Sequence, residues 1–306
     1  MSRTAFIFPG QGSQYVGMGK ALFEQSAAAR QMYRDADEIL GYPISRICFE
    51  GPEEALKQTN VTQPAIFLHS VILSRLLENG EPAMAAGHSL GEYSALVCAQ
   101  AMTFEVGLEL VKLRGELMRQ AGESRPGTMA AVVGLEPDVL TALCREAGSE
   151  GVVECANFNS PGQIVISGSV TGVRKAMELA KARGAKLVKE LVVSGAFHSP
   201  LMEGAREGLR AALKTAPMND ARIPVYANVS ARPVRRAEEI RTLLDAQLTS
   251  PVRWEESILR MIEDGATTFV EIGPGKVLQS LVKRISGSVQ VSGIETIGDA
   301  LHTVPA

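Results

Sequence analysis

The pentapeptide Gly87-His88-Ser89-Leu90-Gly91 constrains this chain more than any other segment, because of what flanks it. Met84-Ala-Ala-Gly87 reads as a short buried strand, and Glu92 to Gln100 as a helix. G-x-S-x-G between a strand and a helix describes a nucleophile elbow, a turn so sharp that the serine is thrust out and the glycines let the backbone pack behind it. At the start of a helix, the dipole and the unpaired N–H groups favour negative charge developing beside that serine. An elbow of this kind presupposes an α/β sheet with its carboxyl edge open.

The rest of the chain supplies such a sheet. Thr4 to Phe8 reads as a strand, followed by the glycine-rich loop Pro9-Gly-Gln-Gly-Ser-Gln14 and a helical pattern from Met18 to Leu40. A second helix spans Gln63 to Asn79, with Asn79-Gly80 as its stop, and another runs from Phe104 to Gln120. From Thr128 the rhythm changes. Strand patterns at 128–135, 152–157, 163–167 and 186–194 alternate with helices at 137–147 and 173–183. That order is βαββαβ, the split unit of a ferredoxin-like domain. After Pro200 the α/β character returns, with a helix to Thr215, a strand at 225–230, helices at 238–249 and 254–264, a strand at 267–272, a helix at 277–284 and a loose tail over the last dozen residues. The expected architecture is α/β: an α/β-hydrolase-like large domain from 1–125 and 196–306, with an inserted ferredoxin-like small domain at 126–195.

Composition narrows the function classes. The 306 residues are 45% hydrophobic and 21% charged, with a net charge of −3, so the overall balance is not that of a nucleic-acid-binding domain. No stretch approaches the ~18 uninterrupted apolar residues of a membrane span, and Met1 to Phe8 is too short an apolar run for a signal peptide. Cys48, Cys98, Cys144 and Cys155 are scattered without a C-x-x-C pair, which suggests neither a zinc site nor a disulfide framework. Free thiols point to a reducing, cytoplasmic setting.

A serine nucleophile needs a base, and the chain holds four histidines. His69 sits in an apolar helix and reads as a core residue. His88 adjoins the serine and should point away from its hydroxyl, leaving it a supporting contact in the pocket. His302 lies in the tail. His198, in Gly195-Ala-Phe-His-Ser-Pro200 after a strand, is the candidate general base. No acidic residue stands out as the third member of a triad. The oxyanion hole is expected to use the N–H of Leu90, the residue after the nucleophile, and a second N–H from the loop after the first strand, at Gln11. Arg114, on a helix beside Gly115, has the chemistry to hold a carboxylate through parallel hydrogen bonds, although most helix arginines are solvated.

Four motifs together resemble the malonyl-CoA:acyl carrier protein transacylase family of bacterial-type fatty-acid synthesis: Phe8-Pro-Gly-Gln-Gly-Ser-Gln14, Gly87-His-Ser-Leu-Gly-Glu-Tyr-Ser94, Asn157-Phe-Asn-Ser-Pro-Gly-Gln-Ile-Val-Ile-Ser-Gly168 and Glu271-Ile-Gly-Pro-Gly-Lys-Val-Leu278. The resemblance covers nearly the whole chain. It implies Ser89 as the acylated residue, His198 as base, Gln11 and Leu90 as oxyanion donors, and Arg114 as the malonyl carboxylate's partner. It also implies that Gln247, in Gln-Leu-Thr-Ser-Pro-Val-Arg-Trp254, orients the histidine through its backbone carbonyl, which would account for the absent acid. Phe197 precedes the histidine, as it does in related polyketide acyltransferases that take malonyl; those with serine there often take methylmalonyl. The substrates implied are a coenzyme A thioester and an acyl carrier protein, with no metal and no bound organic cofactor. Basic docking candidates are Lys283 with Arg284, and Arg232 with Arg235 and Arg236. Alternatives are a freestanding acyltransferase serving a polyketide carrier, a serine esterase and a non-catalytic carrier-binding protein.

Overall fold

The structure is a computed structural model and describes residues 3–77 and 81–302. Two sheets organise it. The larger has six strands in the order Gln290–Ile294, Thr268–Ile272, Thr4–Phe8, Met84–Gly87, Val225–Tyr226 and Pro233–Val234. The first five run parallel, and the last turns back antiparallel at the edge. The central strands Thr-Ala-Phe-Ile-Phe8 and Met-Ala-Ala-Gly87 are almost wholly buried, as uncharged, largely apolar runs must be when helices cover both faces of a parallel sheet.

The smaller sheet orders Leu187–Glu190, Gly127–Val133, Gln163–Ser169, Val153–Ser160 and Val252–Arg253. Its first four strands, with helices Pro137–Ala147 and Val170–Ala182, follow the order βαββαβ. The fifth comes from far along the chain: Val252–Arg253 pairs parallel with Asn157 and Phe158.

Two close approaches place the site. Gly91 opens helix Gly91–Cys98, and a Cβ there would lie 2.0 Å from the Phe8 carbonyl oxygen. Only a residue with no side chain lets this helix start against the first strand. Gly115 does the same for helix Phe104–Ser124, where a Cβ would fall 2.9 Å from Asn60 Cα. That contact seats the helix on Thr59–Leu76, which is buried around nearly its whole circumference. Pro64 removes the hydrogen bond that Asn60's carbonyl would accept within that helix, and the Tyr42 hydroxyl donates to this carbonyl at 3.3 Å instead.

Several expectations give way locally. The pattern from Met18 to Leu40 forms two helices, Lys20–Gln25 and Ala27–Leu40, because Ser26 is extended and caps the second by accepting from Ala29 N–H at 3.2 Å. The strand expected over 186–194 stops at Glu190, and Leu191 and Val193 line a cleft instead. The strand expected over 225–230 has only two residues, after which Asn228 turns inward beneath the elbow. The tail is not loose throughout: a helix runs from Ile297 to His302. The stop at Asn79-Gly80 and the side chain of His302 lie outside the described residues. Among the described residues, no helix is long and apolar enough to cross a membrane.

The packing at Gly91 yields a stability prediction. Gly91→Ala should cost roughly 3 kcal/mol or more, since backbone must move to admit the methyl. Gly204→Ala, at an exposed position of helix Glu203–Thr215 with nothing within 4 Å of the new Cβ, should gain about 0.5–1 kcal/mol. Thermal unfolding of the two variants against the parent checks both signs.

Candidate active site

The carboxyl ends of the strands Thr4–Phe8 and Met84–Gly87 face the smaller sheet across a cleft of about 230 Å³. Ligands in open α/β folds bind at this edge. Gln11, Ser89, Leu90, Arg114, Phe197 and His198 all line the cleft, as does His88.

Ser89 takes φ = 52°, a left-handed conformation that non-glycine residues seldom adopt and that the elbow imposes. Asn228 clasps the turn from below. Its Oδ1 accepts the Ser89 N–H at 2.7 Å, and its Nδ2 donates to the Gly87 carbonyl at 2.7 Å. The hydroxyl projects into the cleft, 2.8 Å from His198 Nε2.

The protonation of that imidazole follows from its other partners. His198 Nδ1 lies 2.9 Å from the Gln247 carbonyl oxygen and 3.2 Å from that of Ser250. Both can only accept, so Nδ1 carries the proton and Nε2 turns its lone pair toward the Ser89 hydroxyl. Burial pushes the His198 pKa down to about 3, and the nearby Arg114 charge adds to the effect. The ring is therefore neutral, and able to take a proton, throughout the ordinary pH range. No carboxylate contacts it among the described residues; two peptide dipoles stand in that position.

Arg114 is only 1% exposed. Its Nη1 donates to Gln63 Oε1 at 2.7 Å, and its Nη2 donates to Gln247 Oε1 at 2.9 Å and to Ser89 Oγ at 3.1 Å. The guanidinium lies over the Tyr93 ring, 5.7 Å from its centroid, and Nε has no hydrogen-bond partner. Every hydrogen-bond partner is neutral. A buried cation without a directly bonded anion is costly, and this one opens onto the cleft beside the nucleophile. An anionic ligand group in the cleft would complete it.

The Leu90 N–H stands just before helix Gly91–Cys98, among the donors that a helix start leaves unpaired. Gln11, on the loop after the first strand, borders the same space, and its side chain donates to Thr59 Oγ1 at 3.4 Å. His88 turns away from the Ser89 hydroxyl. Its Nε2 lies 2.8 Å from Asn159 Oδ1, its ring packs against Trp254, and burial lowers its pKa. Phe197 is buried against the cleft. His69 is a core histidine: its Nε2 lies 3.1 Å from the Glu295 carbonyl, and burial lowers its pKa to about 4. Of the basic candidates, Lys283 and Arg284 end helix Val277–Ile285, whose Val277, Leu278 and Leu281 line the cleft, and Arg284 reaches Gln163 on the opposite wall. Arg232, Arg235 and Arg236 do not line it.

Sequence reasoning left out Gln63, Asn228 and Glu92. Gln63 was detectable as a polar residue just ahead of the largely apolar run Ala65 to Leu73. Glu92 is a carboxyl in the otherwise carboxyl-free helix Gly-Glu-Tyr-Ser-Ala-Leu-Val-Cys98, and it is 3% exposed. Asn228 carried no local signal, since its partners lie some 140 residues earlier.

The family model described as the acyl transferase domain matches residues 5–300. The chain is 47% identical over 310 residues to the malonyl CoA-acyl carrier protein transacylase of Bacillus subtilis (strain 168), covering 99% of this chain and 98% of that one. The crystal structure of an acyl carrier protein S-malonyltransferase from Vibrio cholerae O1 biovar eltor superposes with a TM-score of 0.94 at 42% identity, covering 98% of this chain and 100% of that one. A malonyl-transacylase in complex with its type II PKS acyl-carrier protein gives a TM-score of 0.94 at 38% identity, covering 98% and 99%. A strained serine at an open sheet edge, paired with a neutral imidazole, is equipped for acyl exchange, and with these likenesses along its whole length the chain belongs to the acyl transferase domain family.

Proposed function

We propose that the protein transfers a malonyl group from malonyl-CoA to the phosphopantetheine thiol of an acyl carrier protein, through a malonyl ester on Ser89. The observation that carries this reading is the buried Arg114 guanidinium, bonded only to neutral groups and 3.1 Å from the Ser89 hydroxyl. It calls for an acyl group that ends in a carboxylate, for which a general serine esterase has no use. The names of the relatives agree with it.

In this mechanism His198 Nε2 takes the Ser89 proton as Oγ attacks the thioester carbon. The tetrahedral oxyanion rests on the N–H groups of Gln11 and Leu90. His198 gives the proton to the departing coenzyme A sulfur. The carrier's thiol then enters and loses its proton to His198 as its sulfur attacks the ester carbonyl; the bond to Ser89 Oγ breaks, the malonyl group stays on the sulfur, and His198 returns the proton to Oγ. Gln247 holds the imidazole through its backbone carbonyl. Phe197 fills space beside the histidine, where the extra methyl of methylmalonyl would sit; discrimination of one methyl is worth ~1–3 kcal/mol. His88 supports the pocket wall through Asn159. The same reading takes 1–125 with 196–306 as the catalytic domain, 126–195 as the smaller domain, and the cytoplasm as the compartment. Loading of a polyketide carrier is the second reading, and it is favoured by the relative solved with such a partner. The chemistry is identical, so the carrier accepted decides between them.

Intact-protein mass spectrometry after brief exposure to malonyl-CoA tests the central claim. One malonyl group should appear, be lost on adding a carrier bearing phosphopantetheine, and be absent in Ser89→Ala; folded protein that gains no adduct would refute the assignment. Arg114→Ala should lower malonyl loading roughly 10- to 100-fold and admit acetyl-CoA. Because the Arg114 charge helps depress the His198 pKa, the acid limb that His198 contributes to Ser89 acylation should lie well below pH 6.5 in the parent. In Arg114→Ala, where the burial that is the larger cause remains, it should move up only part of the way, which loading rates measured from about pH 3 to 7 would reveal. Reversing the charges of Lys283 and Arg284 should weaken transfer to the carrier while sparing loading from malonyl-CoA, and equal loss in both half-reactions would count against docking at this helix.

A further inference from the structure

Glu92 lies one helical turn beyond the nucleophile, touches neither Ser89 Oγ nor His198, and is nonetheless buried beneath both. A single oxygen, Oε2, receives two donors from distant parts of the chain. The Asn228 backbone N–H reaches it at 3.0 Å and the Gln247 Nε2 at 2.8 Å. Asn228 is the residue whose side chain clasps the elbow, and Gln247 is the residue whose backbone carbonyl holds His198. The Gln247 amide spends its Nε2 donors on Glu92 and on the Ser89 carbonyl at 3.1 Å. That fixes its orientation, because a flipped amide would set its oxygen against two acceptors and its NH2 against the Arg114 guanidinium. Only with Oε1 facing Nη2 does the 2.9 Å contact to Arg114 form.

We infer that Glu92 is a positioning residue for acyl-group selection: through the Gln247 side-chain amide it fixes the Arg114 guanidinium in the orientation that receives the acyl carboxylate. The inference rests on the malonyl-transfer reading above and adds to it a residue that touches no substrate. Burial raises the Glu92 pKa to about 7, while the Asn228 and Gln247 hydrogen bonds and the Arg114 charge hold it down. Burial outweighs those three influences, so near neutral pH the carboxyl is part-protonated, and with both donors on Oε2 the proton belongs on Oε1 and Oε2 remains an acceptor in either state. Its effect is separable from that on the base, since His198 is held by the backbone carbonyls of Gln247 and Ser250, which do not depend on the amide's orientation.

The test compares rates of Ser89 acylation by malonyl-CoA and acetyl-CoA in the parent, Glu92→Leu, Glu92→Asp, Glu92→Gln, Gln247→Ala and the Glu92→Leu/Gln247→Ala pair, with circular dichroism to show that each is folded. Leucine cannot accept the amide, and aspartate withdraws the carboxyl by one methylene while keeping its charge. Each should narrow the malonyl-over-acetyl ratio roughly tenfold, chiefly through slower malonyl loading. Glutamine, which keeps an acceptor oxygen at full length, should restore most of the ratio. In the Gln247→Ala background, Glu92→Leu should change the ratio no further, because two residues acting through one contact are not additive. Aspartate keeps the test decisive if the leucine variant does not fold. An unchanged ratio in the folded variants, an equal loss with both thioesters, or full additivity with Gln247→Ala would each overturn the role of Glu92 while leaving the parent's malonyl loading intact. A parent that takes up no malonyl would overturn the functional reading and this inference together.

Discussion

The junction between helix Gly91–Cys98 and the first two strands of the large sheet is the constraint on which the cleft depends. With Phe8's carbonyl 2.0 Å from where a Gly91 Cβ would be, the helix can begin only if its first residue has no side chain. That close approach accommodates the sharp turn in which Ser89 is left-handed, with its hydroxyl in the cleft and Leu90 lining the same space. It also points the next side chain, Glu92, down into the core. The remaining polar groups of the site are arranged around the result. Asn228 rises from a strand end to fasten the turn, and Gln247 arrives from the end of a helix to meet the turn's carbonyl.

Gln247 joins two otherwise separate functions. Its backbone carbonyl fixes the imidazole, and its side-chain amide fixes the guanidinium. One residue thereby registers the Ser89–His198 pair against the buried Arg114 guanidinium, and a shift of helix Ala237–Gln247 would disturb both together. Gly115 has a comparable reach on the other wall. By seating helix Phe104–Ser124 against Asn60, it brings Arg114 to Gln63 within 2.7 Å.

What could be read in the sequence follows from how local each determinant is. The elbow was legible because five consecutive residues and their flanking pattern specify it, and His198 because few histidines compete for the role. Four strands of the larger sheet were legible from short apolar runs, each ending in a glycine-rich or polar turn, whereas its edge strands Pro233–Val234 and Gln290–Ile294 were not. Gln247 was not legible from its own residues, since a backbone carbonyl has no sequence signature, and only the family likeness pointed to it. Asn228 stayed hidden because its partners are brought close by strand order alone. The errors have the same root. Leu191 and Val193 read as strand because they are apolar, but that apolar character serves the wall of a cleft. Ser26 reads as one polar residue inside a long amphipathic pattern, but its extended backbone and capping oxygen end one helix and start another.

The two carbonyl dipoles behind His198 have a consequence for which nucleophile the enzyme admits. A carboxylate behind an imidazole stabilises its protonated form strongly, and so equips a site to draw a proton from water, the most reluctant of acyl acceptors. Peptide dipoles carry partial charges only, and here a nearby cation opposes protonation as well. Such an imidazole is a modest base. A thiol, with a pKa near 8.5, surrenders its proton to a modest base far more readily than water does. In the proposed mechanism the acyl ester on Ser89 is thus biased to wait for sulfur, and the missing acid becomes a filter that favours exchange between thioesters over their destruction.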